Sequence, residues 1–295
     1  MKRAYCKYIF SLLLFGTNGI VASGISLTSY EIVLFRTLIG AVLLFIVFRL
    51  TGGKAGFLQE RRQLIYLMIS GGEMGASWMF LYEAYQEIGV GMASLIYYCG
   101  PVLVMALSPL LFHERLTWAK AAGFLTVLAG IFFVNSGALE QGKTAWGLFC
   151  AVMSAVMYAV MVIANKRTQR ITGLENTMAQ LLFAFLTVAA FVCVKQGLVI
   201  VVAAKNWPAI ALLGIVNTGM GCYLYFSSIG RLPVQTVAIC GYLEPLSAVV
   251  FSALLLQERM APAQVLGALL ILGGALFGEC ADFFLRRRGG VRTGG

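Results

Sequence analysis

Ten runs of about 20 apolar residues, each bounded by glycine, proline or charge, take up most of this chain and leave it few folds. They lie near residues 7–25, 30–50, 64–85, 90–111, 118–136, 145–164, 176–196, 207–228, 233–256 and 263–284. A helix needs about 20 residues, at roughly 1.5 Å each, to cross hydrocarbon. Ten such helices use roughly 200 residues, and the chain has 295. No soluble domain fits in the remainder. Only 12% of residues are charged, half of the about 25% that a water-facing domain carries. The chain reads as an all-α integral membrane protein whose function lies among its helices.

The net charge of +10 raises the question of a nucleic-acid partner. The basic residues are scattered through short loops and chain ends rather than gathered on one face, so no such partner is expected. Topology explains them better. With the N-terminus in the cytoplasm, alternate loops place 17 Lys and Arg inside and only Lys143, Lys195, Lys205 and Arg259 outside. That bias is the positive-inside pattern, with both termini in the cytoplasm of a cell membrane. The opening, Lys2-Arg3 before an apolar run, mimics a secretory signal. Its removal would invert every later loop, so the first run is read as a span. Seven cysteines show no CxxC pair or metal spacing, and no cofactor or metal is expected.

Sliding the chain by 144 residues exposes a duplication. Tyr98 falls on Tyr242, Pro101 on Pro245, Glu114-Arg115 on Glu258-Arg259, Gly123 on Gly267 and Gly130 on Gly274. Over positions 98–130, 12 of 33 residues are identical to their mates; composition alone would give about three. Each half, 1–139 and 140–295, holds five runs. Five is odd, so the second half must sit upside down relative to the first.

The segment Pro101 to Glu114, its copy from Leu243-Glu244-Pro245 to Glu258-Arg259, Arg36 in the second run and Gly147 to Tyr158 opening the sixth resemble the EamA-type branch of the drug/metabolite transporter superfamily. The resemblance covers nearly the whole chain, and its strongest element is the twice-repeated proline-to-glutamate spacing of 13. It implies a ten-helix secondary transporter, often an exporter of amino acids or other small metabolites, with a central cavity between two five-helix halves.

Other activities find little support. Gly137 to Thr144, with Gly142 and Lys143, matches the phosphate-loop pattern GxxxxGK[ST]. That pattern needs a preceding strand and a nucleotide-binding fold, whereas this copy links two membrane runs. It reads as a glycine-rich turn with a helix cap. The single histidine, His113, has no second ligand or nucleophile beside it. An enzyme is not expected. A membrane-embedded lipid-modifying enzyme and a passive channel remain as alternatives.

Ionisable groups inside apolar runs cost about 2.5–3.5 kcal/mol each and are therefore functional candidates. Glu73 lies near the middle of the third run, and its repeat mate is Asn217. The two would meet near the pseudo-twofold axis, or else Glu73 serves only helix packing. Glu244 directly precedes Pro245, whose missing N–H weakens the bond to the Gly241 carbonyl; Pro101 does the same at Tyr97. Both prolines are candidate hinges. Arg36, about 9 Å below the outer end of its run, either binds an anionic group or has a fixed partner. Trp78 and Tyr82, with Tyr85, form a stripe opposite in phase to Glu73, Ser70 and Ser77. Tyr98, Tyr242, Tyr158, on one face with Asn165, and Asn18, interrupting the first run, complete the candidate substrate site. Glu31, Glu83 and Glu87 read as solvated at the outer interface. The two midplane carboxylates against one arginine favour a cationic or zwitterionic metabolite moved by alternating access, through proton coupling or exchange. The expected partners are that small molecule, the bilayer and a second copy of the chain.

The charge bias makes a topological prediction. In a background without native cysteines, Gln141→Cys should react with an impermeant thiol reagent on intact cells and Gly289→Cys should not. The reverse pattern contradicts the assignment.

Overall fold

The computed structural model describes residues 2–53, 56–112, 118–140, 144–168, 170–171, 173–197, 200–229, 232 and 240–289. His113, Glu114, Arg115, Gly142 and Lys143 lie outside them. Among the described residues there is no strand, as expected of a chain whose backbone must satisfy itself in hydrocarbon. Six helices among the described residues are long and apolar enough to cross a membrane: Lys2–Ser23, Ser29–Leu50, Arg61–Ile88, Ala145–Lys166, Gly173–Gln196 and Ala204–Tyr225. Four shorter apolar helices, Val90–Val104, Ala121–Phe133, Leu243–Leu255 and Pro262–Gly278, accompany them. In chain order they occupy the ten apolar runs.

Several of these rods are broken, and the local sequence says where. The first divides at Thr17 into α1 (Lys2–Gly16) and α2 (Asn18–Ser23). The Thr17 hydroxyl donates to the Leu14 carbonyl at 2.7 Å, competing with the helical ladder. A capping box at Thr28 and Glu31 starts α3 (Ser29–Leu50), followed by α4 (Arg61–Ile88). The fourth run divides at Tyr98 into α5 (Val90–Tyr97) and α6 (Cys99–Phe112), just ahead of Pro101, which has no N–H for the Tyr97 carbonyl. Its repeat mate Tyr242 is likewise a turn, three residues before Pro245. α7 (Trp118–Glu140), α8 (Ala145–Lys166, capped by Thr144) and α9 (Gly173–Gln196) follow. The eighth run begins as α10 (Trp207–Ala211), widens into a π-helix over Leu212–Met220 and closes as α11 (Gly221–Ile229). α12 (Leu243–Leu255) and α13 (Pro262–Gly289) end the chain's described part.

The helices of the two halves interlock. α4 packs on α8 and α9, while the eighth run, its mate, packs on α1 and α3. α6 lies on α8, and α12 lies on α1. α3 meets α9, α5 meets α12, and α7 pairs along its length with α13. Glycines permit that last approach: a β-carbon at Gly123 would lie 2.6 Å from the Gly274 carbonyl, and one at Gly130 2.7 Å from the Gly267 carbonyl. Gly123 thus opposes the mate of Gly130, and Gly130 the mate of Gly123, so the two helices run antiparallel. Outward faces carry Phe45, Leu125, Phe132 and Leu254, while Ser11, Ser70, Ser77, Ser154, Thr218 and Asn217 are buried. This inside-out distribution suits a bilayer, where lipid tails are as apolar as leucine.

Gly130→Leu should therefore destabilise the α7–α13 pair by about 1–3 kcal/mol through overpacking. Gly273→Ala, where a β-carbon meets nothing within 4 Å, should be neutral. Thermal denaturation in detergent checks both; equal stability of the two variants would contradict the contact.

Candidate functional site

A cavity of about 500 Å³ runs through the middle of the bundle, within the 300–1,000 Å³ typical of small-molecule sites. Both halves contribute: Asn18, Arg36, Trp78, Tyr82, Tyr97 and Tyr98 from the first, and Tyr158, Asn165, Gln180, Tyr242 and Glu244 from the second. Among the described residues, Arg36 and Glu244 are the only charged side chains in its wall.

Arg36 points inward from α3 and is 3% exposed. Its Nε donates to the Thr218 hydroxyl at 3.1 Å, and Nη1 donates to the Tyr82 hydroxyl. The guanidinium carbon lies 4.2 Å from the Trp78 ring centroid and 5.1 Å from that of Tyr82. Two neutral oxygens and two π faces thus replace water around the cation without cancelling its charge. Among the described residues it is paired with no carboxylate. The π-helix explains how Thr218 gets there. Its wider turn lets the Thr218 hydroxyl donate to the Leu213 carbonyl, five residues back, at 2.9 Å while still facing Arg36.

Glu244 enters from the first turn of α12 and shares the cavity wall with Tyr98. The turns at Tyr98 and Tyr242 put these groups on the cavity side of broken helices, where irregular backbone is tolerated because it faces a cavity and not lipid. Aromatic rings make up much of the same wall. Tyr97 meets Tyr98 at 5.7 Å and Tyr158 at 5.3 Å, both edge to face. Tyr82 and Tyr85 are 5.2 Å apart. Asn165 belongs to a polar chain at one end, taking hydrogen bonds from Thr168 and Asn176, while Gln180 joins Asn176 to Ser70.

The structure therefore gathers Arg36, Trp78, Tyr82, Tyr98, Pro101, Tyr158, Asn18, Tyr242 and Glu244 around one space. Pro245 is buried just behind Glu244 and is not in the wall. Glu73 and Asn217 are not in it either, and they do not meet. Asn217 donates to the Leu14 carbonyl, Thr17 and Asn18 at 2.8–3.1 Å, bracing the break in the first helix. Glu73 is half-buried, on the same flank of α4 as Ser70 and Ser77, which bond to the Met161 and Ser154 carbonyls of α8. The repeat shift treats both helices as regular, but the second copy is a π-helix around Asn217, and its different winding rotates side chains out of register with α4. Thr218, adjacent to Asn217, is the residue sequence reasoning passed over. Glu31, Glu83 and Glu87 are hydrogen-bonded as well as near one end: Glu31 to Thr28 and Gln196, Glu83 to Ser29 and Trp146, Glu87 to Thr144.

Comparison with known proteins gives this geometry a family. A solved crystal structure superposes with a TM-score of 0.67 at 22% sequence identity, covering 94% of this chain and 98% of that one. An uncharacterised transporter of Bacillus subtilis, YxxF, is 25% identical over 92% of this chain and 88% of its own length. A probable terminal-alkyne amino-acid exporter of Streptantibioticus cattleyicolor is 26% identical over 88% of this chain and 85% of its own length. The pseudopaline exporter CntI of Pseudomonas aeruginosa is 25% identical over 65% of this chain and 66% of its own length. The EamA-like transporter family matches twice, over residues 2–136 and 145–277. The chain belongs to that family: it is a multi-pass membrane transporter, not an enzyme, built from two copies of the EamA domain.

Proposed function

We propose that the protein is a secondary active exporter of a small zwitterionic metabolite, working by alternating access through ten spans arranged as two inverted five-helix repeats, with both termini in the cytoplasm. The observation that carries the substrate reading is the pair Arg36 and Glu244. Arg36 and the carboxyl group of Glu244 face the same cavity, and among the described residues Arg36 is held by the Thr218 and Tyr82 hydroxyls and not by Glu244. An acidic group on the substrate can reach the guanidinium while its ammonium reaches the carboxylate, so that each charge is desolvated only against its complement. With Glu73 outside the wall, the balance of charge favours a zwitterion over a simple cation.

The inverted arrangement is supported by contacts that exchange under the 144-residue shift: α4 with α8 matches the eighth run with α1, and the antiparallel glycine contacts of α7 and α13 are their own mates. The helix turns at Tyr98 and Tyr242, themselves mates, are natural bending points beside Pro101 and Pro245. The amino-acid and pseudopaline exporters among the relatives favour export of a metabolite bearing both amino and carboxyl groups.

Counterflow in proteoliposomes against a panel of amino acids and other zwitterions tests the reading. Saturable uptake stimulated by internal substrate is expected; unsaturable flux would mean a channel. Within that assay, Glu244→Gln should abolish exchange of the accepted zwitterion, whereas Glu73→Gln should leave its affinity unchanged. The opposite result would return the carboxylate role to Glu73. Tyr82→Phe removes one hydrogen bond to a charged group, worth about 1.5–3 kcal/mol, and should weaken binding about ten-fold or more. An unchanged affinity would separate Tyr82 from Arg36 in function.

A further inference from the structure

One contact between the two EamA copies is built differently from the rest. The first two backbone N–H groups of α5, on Val90 and Gly91, donate to the two oxygens of one carboxylate, Glu258, at 2.8 and 2.9 Å. Glu258 belongs to the connection between α12 and α13, so the first copy is gripped by the second. Glycines make room for it. Gly89 adopts φ +94°, and a β-carbon there would lie 2.9 Å from the Glu258 carboxylate. A β-carbon at Gly91 would lie 2.6 Å from the Ser252 hydroxyl. The chain bends to deliver the carboxylate: Gln257 is the only described non-glycine residue with positive φ, at 55°, and the Glu258 N–H returns to the Ser252 carbonyl at 3.2 Å. A left-handed backbone at a residue with a side chain costs about 1–3 kcal/mol and persists only where surroundings impose it. Ser94, one helical turn further along α5, is buried, lines the cavity and donates to Tyr85, which also lines it.

We infer that Glu258 is the latch of one gate: its two-oxygen grip on the start of α5 shuts the cavity at the Ser94 end, and that end opens only when the grip is released. The inference rests on the alternating-access reading. A carboxylate bound to two backbone N–H groups at a helix start gains from the helix dipole as well, yet among the described residues it has no ionic anchor. It can let go without unfolding either copy. Glu258 acts on the cavity through α5 and touches no substrate, so it is a gating residue.

The test uses the full-length protein, with all seven native cysteines replaced, in right-side-out and inside-out vesicles. Ser94→Cys reports the state of the gate through its rate of reaction with an impermeant thiol reagent. Glu258→Ala should raise that rate severalfold from one membrane side only. A second variant pair guards against misfolding. A β-carbon at Gly91 would lie 3.7 Å from the Ser252 β-carbon, close to the about 3.8 Å of a disulfide. Gly91→Cys with Ser252→Cys should therefore cross-link on oxidation, suppress labelling of Ser94→Cys from that same side and stop exchange; reduction should restore both. If neither Glu258→Ala nor the cross-link changes labelling from either side, the gate assignment is wrong. The labelling readout needs no substrate. Labelling that responds while no panel compound exchanges would uphold the latch and count against the proposed substrate class.

Discussion

Hydrocarbon supplies no hydrogen bonds, and that single deficit governs this structure. Every backbone N–H and C=O crossing it must be satisfied within the protein, so the chain is helical wherever lipid touches it. Departures from regular helix are confined to places where another group or the cavity takes over. The break at Thr17 is braced by Asn217; the turns at Tyr98 and Tyr242 border the cavity; the π-helix of the eighth run places its wider ring against α3 and α1. The two turns at Tyr98 and Tyr242 thus lie where backbone borders the cavity, while the π-helix is covered by neighbouring helices.

The same deficit decides what the two cavity charges can do. A salt bridge between Arg36 and Glu244 would neutralise both and leave a wall of hydroxyls and rings. Instead Arg36 is held by Thr218, Tyr82 and Trp78, while Glu244 shares the cavity wall with Tyr98. Dipoles and π faces lower the cost of burying a charge without consuming it, leaving each pole able to receive an opposite charge from a ligand. The cradle of Arg36 also joins α3 and α4 of the first copy to the eighth run of the second. A change in the relative position of the copies must alter that cradle, so on the proposed reading substrate binding and helix movement share a part.

Much of this was legible in the sequence, because hydrophobic runs, the 144-residue repeat and the prolines are one-dimensional patterns. Charge inside an apolar run is just as visible, and it identified Arg36 and Glu244 as candidates. What the pattern could not reveal was the winding of the eighth helix. Its mate, α4, is a regular α-helix, so transferring Glu73 onto Asn217 by sequence shift assumed equal residues per turn. The π-helix breaks that equality, takes Asn217 to the kink of the first helix and brings Thr218 to Arg36. Glu258 was visible only as half of a repeated Glu-Arg pair; its bond to α5 depends on the bend at Gln257, which no local propensity announces. Glu114, its mate, lies outside the described residues.

The central claim is that two opposite charges receive one substrate. Equilibrium binding to the purified protein tests it most directly, using a zwitterion accepted in counterflow, its methyl ester and its N-acetyl derivative. Each derivative removes one pole and leaves the rest of the molecule. The account predicts that both bind far more weakly than the parent, that Arg36→Gln removes the penalty for the ester, and that Glu244→Gln removes it for the N-acetyl compound. Equal affinity of the three ligands for the unaltered protein would contradict it.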